Sequence, residues 1–181
     1  MSRHRPFRRP FRRPGPRQVP PELRRANALM ESGQYAEAAN AFAHIAKQAE
    51  RRRGPRAPIF HLRAGRAYAQ AEIPGKAMPH LQKGLNMIAM RRDWAPLQRF
   101  GQRTVDELNE LGYTTEAQEI ADYLASVLPK SVEQTAPHEK QVSLPTHCPN
   151  CGAAVRADEV KWIDAQTAAC IFCGSPVRGE H

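Results

Sequence analysis

Four cysteines, the only ones in this chain of 181 residues, come as two matched pairs, "HCPNCGAAV" at 147–155 and "ACIFCGSPV" at 169–177. Cys148 and Cys170 are 22 positions apart, and so are Cys151 and Cys173. Two cysteines three positions apart can place both sulfurs on one ion. The glycine after each pair, Gly152 or Gly174, lets the backbone turn so that its N–H groups point at the thiolates. With 18 residues between the pairs, the spacing is that of a structural zinc site. Four thiolates close the shell of one Zn²⁺, leaving no open position for water or substrate. The chemistry expected is thus binding that holds structure. Two redox-active pairs would need a βαβ setting that is missing here, and disulfides would need an exporting signal. Iron could use the same four ligands. His147, beside the first ligand, reads as a bystander.

Other chemistry leaves little trace. There is no phosphate-binding G-x-x-x-x-G-K-[ST], no nucleophile elbow, no His-Glu-x-x-His and no paired-carboxylate motif. No catalytic residue is assigned, no small-molecule substrate is evident, and a non-enzymatic protein is expected. His44, His61 and His80 fall on different expected helices without metal-ligand spacing, and read as solvated or packed side chains.

The elements that must position the cysteines are short. "EVKWI" (159–163) alternates as a strand, "DAQT" can turn and "AACI" returns, a β-hairpin with the second Cys pair at its end and Trp162 over its small core. Residues 147–178 resemble a zinc ribbon. A segment this short cannot bury enough apolar area to fold alone, so one structural Zn²⁺ per chain, held by Cys148, Cys151, Cys170 and Cys173, is the expected cofactor.

Upstream the pattern is helical and repeats. "ANALMESGQYAEAANAF" (26–42), "GRAYAQAEIPGKAMPHL" (65–81) and "VDELNELGYTTEAQEIA" (105–121) align, with Ala38, Ala77 and Ala117 at equivalent points 39 and 40 residues apart. A small residue recurs where two helices of a hairpin cross closely. Phe42, Leu81 and Ala121 follow four residues later, on the same helical face. Gly33 and Gly112 mark left-handed helix stops, and Thr115 with Gln118 has the form of a capping box. The helices expected are 22–32, 35–52, 57–71, 75–90, 94–111 and 115–128, with Pro79 and Pro96 kinking or delaying theirs. The Gly–x–Tyr–x–x–Ala–x–x–x–Phe spacing at Gly33, Tyr35, Ala38 and Phe42 resembles a tetratricopeptide repeat. The expected fold is mainly α: three stacked antiparallel helical hairpins (a tetratricopeptide-like solenoid, 22–129), then a linker (130–146) and the zinc-ribbon β-hairpin (147–178).

The resemblance implies a groove lined by the first helix of each hairpin, faced by Asn27, Met30, Leu62, Arg63, Arg66, Arg99, Gln102 and Arg103. Asn27, Arg99 and Arg103 fall where the carboxylate clamp of some family members has Asn and two cations. Leu23 and Arg63 depart from that clamp, standing where Lys and Asn are usual. The partner this implies is a protein, with an acidic peptide as its chemistry, bound at Asn27, Arg63, Arg66, Arg99 and Arg103 by an adaptor or scaffold.

Charge supplies the alternative. The formal charge is +9, yet residues 1–17 hold seven arginines and no acid, leaving 20 basic against 18 acidic residues elsewhere. The Pro/Arg-rich arm (1–21) is expected to be disordered. It could bind nucleic acid or a ribosome through Arg5, Arg8, Arg9, Arg12 and Arg13, although the cysteine segment itself is not basic. No apolar run is long enough to span a bilayer, and the basic N-terminus is followed by no apolar signal core. A soluble, cytoplasmic protein without a membrane partner is expected.

Overall fold

A computed structural model describes residues 19–129, 143–157, 159–164 and 166–179. Most of the arm, including the five arginines of the nucleic-acid alternative, and residues 130–142 of the linker lie outside the described residues. Six helices follow one another: α1 (Pro21–Glu31), α2 (Tyr35–Arg51), α3 (Ala57–Gln70), α4 (Pro74–Ala89), α5 (Trp94–Glu110) and α6 (Thr114–Val127). Every boundary lies within one residue of the sequence expectation. Among the described residues no helix is long and apolar enough to cross a membrane.

All five connections between these helices turn the same way. Each contains one residue with positive φ, at Gly33, Arg53, Glu72, Arg92 and Gly112. In the first, Gln34 N–H donates to Leu29 C=O at 2.9 Å and Gly33 N–H to Met30 C=O at 3.2 Å. That is the paired bonding that satisfies the last carbonyls of a helix. The same pair of bonds closes the turn at Arg53 (2.7 and 2.8 Å) and at Glu72 (2.9 and 3.0 Å). Glycine was the visible signal at two turns; at the other three the hydrogen bonds hold a residue with a side chain in the conformation that glycine prefers.

Each helix packs against its neighbours in the chain, giving three hairpins, α1/α2, α3/α4 and α5/α6. Ala38, Ala77 and Ala117 are all buried at the crossings, as expected. Glycines bring backbones closer still. A Cβ on Gly65 would lie 2.6 Å from Leu81 Cγ and 3.0 Å from the Ala77 carbonyl, and one on Gly84 would lie 2.8 Å from Leu62 Cγ. Leu62 therefore packs on α4 and is buried, and does not line the face assigned to it. In the third hairpin Ile120, not Ala121, takes the inward position of Phe42 and Leu81. The expected capping box is absent, because α6 begins at Thr114 and places Thr115 inside the helix without a side-chain cap. Pro96 does not delay α5: it lies in the first turn, where its missing N–H removes no helical bond. Pro79 stands within α4, whose helix continues through it.

The C-terminal module is a three-stranded antiparallel sheet in the order β1 (Lys161–Trp162), β2 (Thr167–Ala169), β3 (Pro176–Arg178). The first strand is shorter than expected. Glu159 and Val160 turn back on the Arg156 carbonyl at 3.0 and 3.2 Å, so pairing starts only at Lys161. The side chain of Asp164 shapes the turn into β2, accepting the backbone N–H groups of Gln166 and Thr167 at 2.8 and 2.7 Å. The third strand, begun by a proline, had no sequence expectation. The buried apolar residues of this module, among them Val160, Ala168 and Val177, belong to one core cluster with those of the helices.

Candidate metal centre and the helical face beneath it

The two Cys-x-x-Cys-Gly turns are near copies of each other. In the first, Gly152 N–H donates to Cys148 C=O and Cys148 N–H to Ala153 C=O, both at 2.8 Å. In the second, Gly174 N–H donates to Cys170 C=O at 2.9 Å and Cys170 N–H to Ser175 C=O at 2.8 Å. Gly152 and Gly174 take φ of 70° and 77°, so their bonds close the loops without a Cβ penalty. The first turn sits on an antiparallel bridge between His147 and Ala154, and the second joins β2 to β3.

The four sulfurs converge, all within 4.8 Å of one another, with Cys148 and Cys173 at 3.8 Å and Cys151 and Cys170 at 3.7 Å. A metal held tetrahedrally by four sulfurs at about 2.3 Å sets them about 3.8 Å apart. The pairs that approach come one from each turn, so a single ion would clamp both. A disulfide needs sulfurs at about 2.05 Å, far closer than here. The cluster could therefore hold a metal ion. Phe172 N–H points at Cys170 Sγ at 3.4 Å and Asn150 Nδ2 at Cys173 Sγ at 3.8 Å, donors of the kind that orient thiolate ligands. Burial pushes the Cys151 and Cys170 thiols up. It acts on Cys173 too, but hydrogen bonds from Ser175, Cys151 and Asn150 outweigh it and bring that thiol down to about 6. His147 takes no part: its Nε2 lies 3.6 Å from Glu31 at the end of α1, and both side chains are exposed.

The module is set on the helices by charge. Glu159 is buried, and its carboxylate accepts from Arg63 Nε at 3.1 and 3.0 Å and from Arg63 Nη2. Arg66 Nη1 lies 3.5 Å from the same carboxylate, and Arg66 Nη2 donates to Glu107 on α5. Arg103 Nε reaches Glu107 at 3.0 Å, and Arg63 Nη1 approaches Asn27 Oδ1 on α1 at 3.4 Å. One polar network thus joins the first helix of every hairpin, α1, α3 and α5, to the C-terminal module. Burial pushes the Glu159 carboxyl up, but the guanidiniums of Arg63, Arg66 and Arg156 outweigh it and hold it below the ordinary carboxylate range. A second clamp lies at the start of α3. Arg56 donates to the carbonyls of Ile171 and Phe172, inside the second Cys turn, and its guanidinium stacks over the Phe172 ring at 4.8 Å. Between α1, α3 and the module only about 10 Å³ of void remains, lined by Leu23, Asn27, Phe60 and Ala153 among others. That is room for a single water at most.

Of the residues expected to face a partner groove, Asn27, Arg63 and Arg66 do lie together on one face, and the chain's own Glu159 occupies them. Arg99 and Arg103 on α5 stay half-exposed, with the Arg99 guanidinium over the Phe100 ring at 5.2 Å. Sequence reasoning missed Glu159, Glu107 and Arg56. A signal for the first existed in α3, "APIFHLRAGRAYAQ", which buries 12 of its 14 residues, both arginines included. An arginine in so buried a helix requires a carboxylate, though nothing local says which one. His61 and His80, placed apart by sequence spacing, meet with their Nδ1 atoms 2.9 Å apart.

Comparison with protein-family models, with curated proteins and with solved structures finds no match to this chain.

Proposed function

We propose that this chain is a non-enzymatic protein-interaction adaptor: a tetratricopeptide-like row of hairpins, completed by a zinc ribbon, that binds acidic polypeptide segments on the face made by α1, α3 and α5. The observation that carries this reading is the burial of Glu159 against Arg63 and Arg66. That face is already holding a polypeptide carboxylate, one supplied by the same chain. A row of hairpins that stacks first helices side by side offers a continuous surface to an extended partner. Here the ribbon takes the α1/α3 part, and the half-exposed Arg99 and Arg103 carry the positive charge of the face on along α5, where Arg103 also bonds Glu107. Zinc is the metal that the four-thiolate set and the sulfur spacing favour, and its role is structural.

The test is binding of acidic dodecapeptides to the full-length protein by fluorescence anisotropy, with neutral and basic peptides as controls. Reversing charge at Arg99→Glu and Arg103→Glu should weaken acidic-peptide binding by about tenfold or more, the size expected for lost charge-assisted hydrogen bonds. Helical circular dichroism should be unchanged. Acidic-peptide binding that ignores these substitutions, or no preference for acidic peptides, defeats the reading. Metal analysis of protein purified under reducing conditions should return close to one zinc per chain.

A further inference from the structure

The C-terminal module holds the helical face in the manner of a bound peptide. Its own architecture is closed: among the described residues, the strand pairing and both Cys turns are completed by backbone bonds that stay within residues 146–179. Side chains make the polar contacts with the helices. Arg63 takes both oxygens of Glu159, Arg66 approaches the same carboxylate, and Arg56 donates to the carbonyls of Ile171 and Phe172. A side-chain carboxylate and main-chain carbonyls are groups that any acidic polypeptide segment offers.

The energetics of the Arg63–Glu159 pair favour exchange. Two charges taken out of water gain from each other little more than their dehydration costs, so a buried pair adds little net stability, while a lone buried charge is costly. Losing the carboxylate outright is therefore expensive. Handing Arg63 from one carboxylate to another leaves no buried charge unpaired, and Glu159 returns to water. A neutral or basic segment would leave Arg63 alone, so the contact that holds Glu159 also selects acidic competitors. Glu107 bonds both Arg66 and Arg103, which makes the covered part of the face continuous with the half-exposed arginines of α5. An incoming acidic segment thus meets positive charge beside the module before it reaches Arg63.

We propose that the cysteine module is an intramolecular competitor for the adaptor's own site. Docked, it closes the α1/α3 part of the face; an acidic segment of a partner polypeptide displaces it, placing a carboxylate on Arg63 and Arg66 where Glu159 stood. This inference rests on the adaptor reading and adds its regulation. A competitor within the same chain acts at a high effective concentration. The partner's apparent affinity scales with the fraction of molecules whose module is undocked. Weakening the docking therefore raises that affinity without any new contact to the partner.

The experiment measures binding of the acidic dodecapeptides by full-length wild type, Glu159→Gln and Arg56→Gln. The first variant removes the competing carboxylate, and the second loosens the module without touching the carboxylate site, so neither result hangs on one protein folding well. Each variant should bind acidic peptide about tenfold or more tightly than the wild type, the size expected for lost charge-assisted hydrogen bonds of the docked module. Neutral and basic peptides should show no gain. Adding Arg63→Gln to Glu159→Gln should erase the gain, which a merely unfolded and sticky face would keep. In the wild type, saturating acidic peptide should speed amide hydrogen exchange at Glu159 and Val160, which are buried in the docked state and turn on the Arg156 carbonyl. Gains in both variants with faster exchange support the competitor. Equal or weaker binding in both variants, or exchange unchanged at saturation, overturns it. The two readings fail separately. Binding that needs Arg99 and Arg103 but ignores Glu159→Gln and Arg56→Gln keeps the adaptor and removes the competitor, whereas no acidic-peptide binding by any of the three proteins removes both.

Discussion

Substituting Glu159→Gln leaves the Arg63 guanidinium buried among neutral groups, the Asn27 carbonyl and the Phe42 ring among them, without the carboxylate charge that it faces now. Breaking a buried ion pair by removing one charge costs about 3–5 kcal/mol, and urea unfolding should show a loss of that order. Glu159 titrates below its ordinary range in the folded protein. Its contribution is therefore fully present above the unfolded carboxylate value of about 4.5 and is lost as pH falls through the lower folded value. The histidines act in a higher window. Burial, then the neighbouring His61, Lys47 and Lys83, hold His80 down to about 4, while burial lowers His61 against the pull of Glu50. The unfolded chain takes up these protons near pH 6.5 and the folded one resists, so stability falls as pH drops from about 6.5 to about 4. Acid also protonates metal thiolates in this range. The histidine part should appear as a shallower decline of melting temperature in His80→Gln than in the wild type. Parallel declines would remove the pair from the account.

At the scale of the element, the α3/α4 crossing turns on two glycines. Gly65→Ala gains about 1 kcal/mol of helix propensity but drives a Cβ to 2.6 Å from Leu81 and 3.0 Å from a backbone carbonyl. Overpacking of this kind costs about 1–3 kcal/mol, so the substitution should be net destabilising. Gly75→Ala, with nothing within 4 Å of the added Cβ, should be neutral or stabilising. Equal stability of the two variants would contradict the close approach of α3 and α4. The helices themselves were readable, because apolar period, turn glycines and first-turn prolines all act locally. The turns at Arg53, Glu72 and Arg92 were not, since their left-handed residues are fixed by hydrogen bonding and not by glycine. For the same reason the four-cysteine cluster was legible and the docking of its module was not. Cysteine spacing is a local statement, whereas the Arg63–Glu159 pair spans 96 positions.

For the whole molecule, metal and helices should be coupled. Sequence organisation alone suggests that a chelator would unfold the cysteine segment and leave the helical body indifferent. The shared apolar cluster, the Glu159 pair and the Arg56 clamp argue otherwise. Stripping the metal should lower the midpoint of helical melting at 222 nm and split one transition into two, while most helicity at 25 °C persists. A midpoint indifferent to chelation would show that docking contributes nothing to the body.

The long reach of the Glu159 pair also orders events in time. The two arginines of α3 leave the ribosome well before residue 159, so during synthesis they stay hydrated beside an apolar surface formed by Leu23, Ile59 and Phe60. That surface is sealed only after the cysteine module, residues 143–179, has emerged and closed its cysteine turns. Nascent chains short of that point, or starved of metal, present a sticky and cationic face to chaperones and proteases. The cysteine module thus certifies the helices made before it as finished.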